Sequence, residues 1–184
     1  MPTRPRHVVL VGLMASGKTT VGTALAARMG RPFVDNDSQL AARTGRTARE
    51  IADAEGAGRL HVLEAEALVD ALASPVPAVA AAAAGAVLEP VAVAALQSDA
   101  VVYLRASPAV LEARLTRGTA PDDHRPFVAD DPRRVLEAQF AERDDAYRAL
   151  ATLTVDADGD APGAIVDEIT SVLARSASQT PPGS

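Results

Sequence analysis

Short apolar runs, rich in β-branched residues, alternate along the chain with longer segments in which apolar residues recur at every third or fourth position. The short runs are typical of buried strands, and the longer pattern is typical of amphipathic helices. The predicted strands span residues 7–11, 31–35, 77–82, 100–104 and 152–155. The predicted helices span residues 18–29, 38–43, 47–55, 58–72, 90–96, 107–117, 131–150 and 162–175. This alternation predicts an α/β fold whose parallel sheet is covered by helices on both faces.

Two segments lack this periodicity. Residues 118–130 contain Gly, Pro and Asp and predict a mobile surface loop. Residues 176–184 are polar, contain proline and predict a disordered tail. Because no repeat or linker interrupts the remainder, residues 1–175 are interpreted as a single domain.

The composition excludes several function classes. A chain of 184 residues can form one domain with a full core, built mainly of small side chains because aromatic residues make up only 3%. A net charge of −6 argues against a nucleic-acid-binding surface, and the lack of cysteine excludes disulfides. The longest apolar run, residues 75–88, is too short to span a bilayer. These features predict a soluble, cytoplasmic protein without a membrane partner.

Residues 12–19, between the first predicted strand and the first predicted helix, read Gly-Leu-Met-Ala-Ser-Gly-Lys-Thr. This G-x-x-x-x-G-K-T pattern is typical of a Walker A loop, in which glycines let backbone N–H groups approach phosphate oxygens. The helix N-terminus attracts anions, and Lys18, the only lysine in the chain, adds a full positive charge. The hydroxyl of Thr19 is a candidate ligand for Mg²⁺. The pattern predicts a nucleoside triphosphate site.

Two acids follow the second predicted strand, in Phe33-Val34-Asp35-Asn36-Asp37. Because alternate residues of an extended segment point the same way, Asp35 and Asp37 are expected to face one site. One carboxylate can hold a Mg²⁺-bound water and the other can accept the proton of a substrate hydroxyl, although an ordinary polar loop could also carry two acids. The third and fourth strands end in alanines and Arg105, without the acid that motor and switch NTPases usually carry.

Taken together, these motifs resemble the shikimate kinase family. The specific motifs are residues 12–22, residues 33–37, and residues 44–51 with Glu55-Gly56. Looser matches follow in the same order, namely residues 101–104 with Ser107-Pro108, Arg125-Pro126-Phe127 with Asp131-Pro132, Arg143 with Tyr147, and Val155-Asp156. The resemblance covers about residues 7–175.

The resemblance implies a P-loop NTPase fold of the nucleoside-monophosphate-kinase type. It implies a five-stranded parallel sheet, a substrate subdomain at about residues 36–72 and a lid at about residues 117–131. The implied activity is the ATP-dependent phosphorylation of a small alcohol, with shikimate as the default acceptor and 3-phosphoshikimate as the product. The implied ATP-binding residues are Gly12, Ala15, Ser16, Gly17, Lys18, Thr19, Thr20 and Arg117.

The resemblance also implies roles for individual residues around the acceptor. Thr19 and Asp35 would serve Mg²⁺, while Asp37 would bind the acceptor hydroxyl and act as the base. Arg125 in the lid would reach the transferred phosphate, and Arg143 would bind the carboxylate of the acceptor. The protein is expected to act as a monomer.

The acceptor side departs from the family pattern. Aligning a family glutamate with Glu64 puts Leu60-His61 where the family has Phe-Arg, and the three family glycines after the third strand are Ala83-Ala84-Gly85 here. Arg143 is followed by Asp-Asp-Ala before Tyr147, without the usual Pro-Leu, and residues 158–160 lack a basic residue often found near the adenine. Gly85 still allows a substrate to approach the backbone closely.

These departures leave two alternatives open. One is a paralogous kinase for another cyclitol or sugar-like alcohol, and the other is a nucleotide-binding regulatory protein that has lost its acceptor specificity. Because His61 offers one hydrogen bond and is mostly neutral at pH 7, the sequence predicts weak binding of shikimate, which should improve below about pH 6.5.

Overall fold

The computed structural model describes residues 7–117, 131–159 and 161–178. Five strands in these residues form one parallel sheet in the order β2-β3-β1-β4-β5. Their bounds are β1 (Val8–Val11), β2 (Phe33–Asp35), β3 (Val79–Ala81), β4 (Ala100–Arg105) and β5 (Leu153–Asp156). The predicted α/β fold with a five-stranded parallel sheet is confirmed.

Eight α-helices connect or follow the strands in the described part of the chain. They are α1 (Lys18–Met29), α2 (Asn36–Thr44), α3 (Ala48–Glu55), α4 (Ala57–Leu72), α5 (Pro90–Leu96), α6 (Pro108–Arg117), α7 (Pro132–Leu150) and α8 (Pro162–Ser178). A 3₁₀ turn, Ala86–Leu88, which the sequence pattern did not predict, precedes α5. None of the helices in these residue ranges is long and apolar enough to cross a membrane.

The middle of the sheet is buried on both faces. All four residues of β1 are fully buried, and only Arg105 in β4 is partly exposed. Since successive side chains of a strand point to opposite faces, this burial requires helices on each side of the sheet. The alternation of strands and helices therefore led to the correct layer arrangement.

A second, smaller group of buried apolar residues lies away from the sheet. It is formed by α2, α3 and α4, and its members are Leu40, Ala48, Ile51, Ala52, Leu60 and Leu63. Helix α3 begins with a capping box, in which Thr47 N donates to Glu50 Oε2 over 2.7 Å and Glu50 N donates to Thr47 Oγ1 over 3.2 Å. The three helices thus have an apolar centre of their own.

Two helix boundaries differ from the sequence prediction. Helix α2 begins at Asn36, two residues early, because Asp35 Oδ1 accepts hydrogen bonds from the backbone N–H groups of Asp37 (3.1 Å) and Ser38 (3.3 Å). The expectation that Asp37 belongs to an extended segment is therefore wrong. Helix α8 continues to Ser178, into the predicted tail.

Two predictions concern residues that the structure does not describe. The predicted surface loop, which makes up most of the predicted lid, occupies residues 118–130, and most of the predicted tail occupies residues 179–184. Both segments lie outside the described residues.

Candidate active site

One large cavity opens where the carboxyl ends of the central strands meet the helices that follow them. Its volume is about 770 Å³. It is lined by the loop after β1, the start of α2, one side of α4, the loop after β3, and parts of α6, α7 and α8. Ligands of open α/β sheets typically bind outside the carboxyl ends of the strands, where the strand order reverses. Strand β1, flanked by β3 and β4, ends at such a point.

The loop after β1 has the backbone shape of an anion cradle. Ala15 and Gly17 have φ angles of 63° and 97°, and successive N–H groups in such conformations point toward one centre. A Cβ at Gly12 would lie 2.7 Å from the carbonyl oxygen of Leu104, so only glycine fits against β4. The hydroxyl oxygen of Ser16 is buried and has no hydrogen-bond partner within the described residues. These features fit the phosphate groups of a bound nucleotide.

Lys18 is held inside its own loop. Its ammonium donates to the carbonyl oxygens of Gly12 (2.9 Å) and Leu13 (3.0 Å). Desolvation lowers the pKa of Lys18 to about 8, although Asp37, Asp35 and Glu64 act in the opposite direction. The loop therefore presents a positive charge that is poorly solvated by water and is available to an anionic phosphate.

The predicted metal ligands are adjacent. The Thr19 hydroxyl donates to Asp35 Oδ2 over 3.4 Å, while Asp35 Oδ1 accepts from the start of α2. Both residues line the cavity beside Lys18. A hydroxyl and one carboxylate oxygen next to a phosphate cradle are the kind of oxygen donors that Mg²⁺ uses when it also binds substrate phosphates. The donor set fits the implied metal.

A third carboxylate, Glu64, lines the cavity in addition to Asp35 and Asp37. Glu64 of α4 is 6% exposed and lines the cavity. Burial, followed by the charge of Asp37, raises the pKa of Glu64 to about 8, against the opposing influence of Arg143 and Lys18. Glu64 therefore carries a proton in most molecules at neutral pH and can donate a hydrogen bond.

The acceptor end of the cavity is formed by α4, α7 and the loop after β3. The His61 ring packs so closely on Gly85 that a Cβ at residue 85 would overlap it. Desolvation and the charge of Arg143 lower the pKa of His61, while Glu89 and Glu142 act weakly in the other direction. Tyr147 donates a hydrogen bond to the carbonyl oxygen of Ala84, which connects α7 to this loop. Arg59, the other basic residue nearby in sequence, pairs instead with Glu55 at 3.6 Å.

Most of the residues predicted for the site line the same cavity. They are Ala15, Ser16, Gly17, Lys18, Thr19, Thr20, Asp35, Asp37, His61, Gly85 and Arg143. Gly12 lies beneath the loop, against β4. Arg117 is exposed and is not among the lining residues, and Arg125 falls in the part of the chain that the structure does not describe.

The sequence reading missed two cavity residues. Arg114 lines the cavity in place of Arg117, and its guanidinium donates to the carbonyl oxygen of Ala157 over 2.5 Å. It lies three positions before Arg117, on the side of α6 that faces the cavity. Glu64 could have been found from the sequence, because it is a charged residue on the apolar side of α4, three positions after His61.

Comparisons with known proteins agree with this geometry. The family model for shikimate kinase matches residues 14–174. A shikimate kinase from Chromobacterium violaceum is 45% identical over 149 residues, which are 80% of this chain and 78% of that protein. Another, from Thermobifida fusca, is 40% identical over 84% of this chain and 87% of that protein.

A solved structure gives the same result. The shikimate kinase from Acinetobacter baumannii in complex with shikimate matches with a TM-score of 0.83 at 30% sequence identity, covering 95% of this chain and 96% of that one. This likeness confirms the predicted P-loop kinase fold of the nucleoside-monophosphate-kinase type. The motifs, the sheet order, the cavity and these comparisons together establish that the chain belongs to the shikimate kinase family.

Proposed function

We propose that the protein transfers the γ-phosphoryl group of ATP to a hydroxyl of shikimate, giving 3-phosphoshikimate and ADP. The observation that carries the proposal is the continuity of the cavity, since Lys18, Asp37 and Arg143 all line it. The charge of Asp37 acts on both Lys18 and Glu64, so Asp37 lies close to the phosphate loop and to the acceptor end. A phosphoryl donor and an alcohol can therefore bind side by side.

The phosphate side has what phosphoryl transfer requires. The backbone N–H groups of the loop and the Lys18 ammonium would bind the β- and γ-phosphates, and the unpaired hydroxyl of Ser16 offers a further hydrogen bond. Thr19 and Asp35 would hold Mg²⁺, which supplies charge neutralisation on the phosphate oxygens when bound. Arg114 of α6, which lines the cavity together with Pro162 and Ile165 of α8, would contact the nucleoside end of ATP.

The reaction itself needs a proton acceptor and charge stabilisation. As the hydroxyl oxygen of the acceptor bonds to the γ-phosphorus, its proton passes to the carboxylate of Asp37. The bond between the γ-phosphorus and the bridging oxygen breaks, and that oxygen leaves with ADP. Lys18 stabilises the negative charge that spreads over the phosphoryl oxygens.

The acceptor side supports shikimate through Arg143. This residue is largely buried, lines the cavity and is the one arginine that the family motif assigns to the carboxylate of the acceptor. A guanidinium can bind a carboxylate through two parallel hydrogen bonds. Glu64, which is mostly protonated, and the backbone around Gly85 offer further hydrogen bonds to acceptor hydroxyls.

A second candidate is phosphorylation of another cyclitol or sugar-like alcohol. Two observations favour it, namely the His61 ring packed on Gly85 and the methyl groups of Ala83 and Ala84 on the cavity wall. Both narrow the acceptor end, and the histidine replaces a charged partner for the carboxylate. A regulatory protein without turnover is less well supported, because the residues of the phosphate loop line the same cavity as Asp35 and Asp37.

An ADP-release screen separates these readings. The purified protein is given Mg²⁺-ATP and, one at a time, shikimate, quinate, cyclitols and simple sugars. The proposal expects ADP release to rise well above the rate without acceptor when shikimate is present, and more than with any other compound. A larger response to a cyclitol or sugar would favour the second candidate, and no response to any acceptor would favour a regulatory protein.

We also propose that the active protein is a cytoplasmic monomer in which residues 36–72 act as a substrate subdomain. The monomeric state is supported by the cavity, because a single chain lines it from the phosphate loop to Arg143. The substrate subdomain is supported by the separate apolar group of α2, α3 and α4. Sedimentation of the active protein at assay concentrations tests the oligomeric state.

A further inference from the structure

Asp144 of α7 is the centre of a group of side chains that no sequence motif assigns to the site. Among the described residues, its carboxylate accepts four hydrogen bonds. Tyr103 Oη (2.8 Å) and Arg105 Nε (2.8 Å) donate to Oδ1, while Arg105 Nη2 (3.2 Å) and Arg148 Nε (3.0 Å) donate to Oδ2. The side chain is only 14% exposed. Charge-assisted hydrogen bonds of this kind are stronger than neutral ones and restrict geometry more closely.

These contacts join α7 to the end of β4. The Arg105 guanidinium lies 4.8 Å from the ring centre of Phe140, one turn before Asp144, and the rings of Tyr103 and Tyr147 meet edge to face at 5.1 Å. Strand β4 also borders the phosphate loop, because the Leu104 carbonyl lies against Gly12. Asp144 therefore fixes α7 relative to the strand that supports the loop.

The same turn of α7 carries two acceptor-side contacts. Arg143, the residue immediately before Asp144, lines the cavity and interacts with the Tyr147 hydroxyl. Tyr147, three residues after Asp144, donates to the carbonyl oxygen of Ala84 in the loop after β3. A shift of this turn would thus move the guanidinium and release the loop together.

We propose that Asp144 is a positioning residue for the acceptor, because it holds α7 where Arg143 enters the cavity and Tyr147 holds the loop at Ala84. The inference rests on the proposed function in that the acceptor is taken to need Arg143. The two residues after Asp144, Asp145 and Ala146, stand where the family usually has Pro-Leu before the tyrosine. Small displacements of a binding group can cost as much as about a hundredfold in activity.

The first test compares Asp144→Asn with Asp145→Asn, an identical change at the exposed neighbouring residue. Asp144→Asn should raise the KM for shikimate about tenfold while leaving the KM for ATP within about twofold, and Asp145→Asn should change neither. Tyr103→Phe, which keeps the ring and removes one of the four hydrogen bonds, should produce a smaller change in the same direction. A lower melting temperature with both KM values unchanged would mean that Asp144 is structural only.

A double-mutant cycle tests whether Asp144 affects acceptor binding through Arg143. In an Arg143→Ala background, Asp144→Asn should raise the KM for shikimate less than twofold further, because the group it positions is gone. An undiminished effect in that background would overturn the inference.

A measurement that does not depend on turnover keeps this inference separate from the proposed function. In ligand-free protein, amide hydrogen exchange over residues 82–88 should be faster in Asp144→Asn than in wild type or Asp145→Asn. Failure of wild-type protein to use shikimate would reject the acceptor assignment and leave this result standing. Equal exchange in all three proteins would reject the positioning role, whatever the acceptor is.

Discussion

Lys18 is the residue on which the phosphate side depends most directly. It is the only lysine in the chain, it lies in the cavity, and its pKa is lowered to about 8 mainly by desolvation. A lysine whose folded-state pKa is below its ordinary value of 10.5 destabilises the folded protein when charged, and this cost is present at pH 7. Its retention is therefore explained by phosphate binding and not by stability.

We expect Lys18→Met to lower kcat by about a hundredfold or more, since such a charge contributes roughly 3 kcal/mol to lowering the barrier. The melting temperature of the ligand-free variant at pH 7 should equal or exceed that of wild type. Steady-state ADP release and thermal unfolding measure the two effects. Arg175→Met, at an exposed position of α8, serves as the charge control and should change neither. Near-normal turnover of Lys18→Met would show that the loop is not the site.

His61 changes the expected pH dependence of acceptor binding. The sequence alone predicted improved binding below about pH 6.5, the range of an ordinary histidine. That threshold is wrong, because desolvation and Arg143 lower the pKa of His61. Binding of a carboxylate favours the charged imidazole, so the apparent affinity should rise as the pH falls and should level off only below the lowered pKa of His61 in the free protein.

We therefore expect the KM for shikimate to fall by up to about tenfold as the pH is lowered and a charge-assisted bond forms, and to level off only below pH 6.5, the ordinary pKa of histidine. The measurement is KM against pH above the pKa of the acceptor's own carboxyl group. His61→Gln, which keeps a hydrogen-bonding side chain but cannot gain charge, should flatten the profile. A KM that already levels off at or above pH 6.5, or a pH dependence that survives in His61→Gln, would contradict this role.

At the scale of elements, the acceptor end depends on how α4 and the loop after β3 meet. His61 of α4 packs on Gly85, and Ala83 and Ala84 add two methyl groups to the cavity wall. Since Tyr147 holds the backbone carbonyl of Ala84, its contact does not require the alanine side chain. Glycine can therefore replace both alanines without loss of that hydrogen bond.

We expect the triple variant His61→Arg, Ala83→Gly, Ala84→Gly to lower the KM for shikimate about tenfold or more, through a restored guanidinium and a wider cavity. The KM for ATP should stay constant. His61→Arg alone and the two glycines alone are the controls, and each should give a smaller change. A triple variant that binds shikimate no better than wild type would indicate that the acceptor end is built around another group.

The elements also show where sequence reasoning succeeds and where it fails. Periodicity predicted most helices and strands to within two residues, because that signal is local. The start of α2 was predicted two residues late, because Asp35 caps this helix. Asp37 therefore lines the cavity from the first turn of α2 and not from an extended segment. Arg114 was missed because its contact, with Ala157, is distant in sequence, whereas Glu64 was recognisable as a charged residue on the apolar side of α4.

At the scale of the whole molecule, the cavity lies between two apolar groups. The phosphate loop is attached to the large core around the sheet, while His61 and Glu64 lie on α4, which contributes Leu60 and Leu63 to the smaller group with α2 and α3. Alternating strands and helices predicted the parallel sheet, but the order β2-β3-β1-β4-β5 depends on long-range pairing that no local pattern encodes.

The central claim is that this cavity phosphorylates shikimate, and phosphorus NMR of the reaction mixture tests it directly. Wild-type protein with Mg²⁺-ATP and shikimate should produce a new phosphate monoester signal in step with ADP. Asp37→Asn should form it at least about a hundredfold more slowly while binding ATP within a few-fold of wild type by calorimetry, because Asp37 is assigned to the acceptor hydroxyl. ADP and inorganic phosphate without a monoester, or a monoester formed equally fast by Asp37→Asn, would contradict the account.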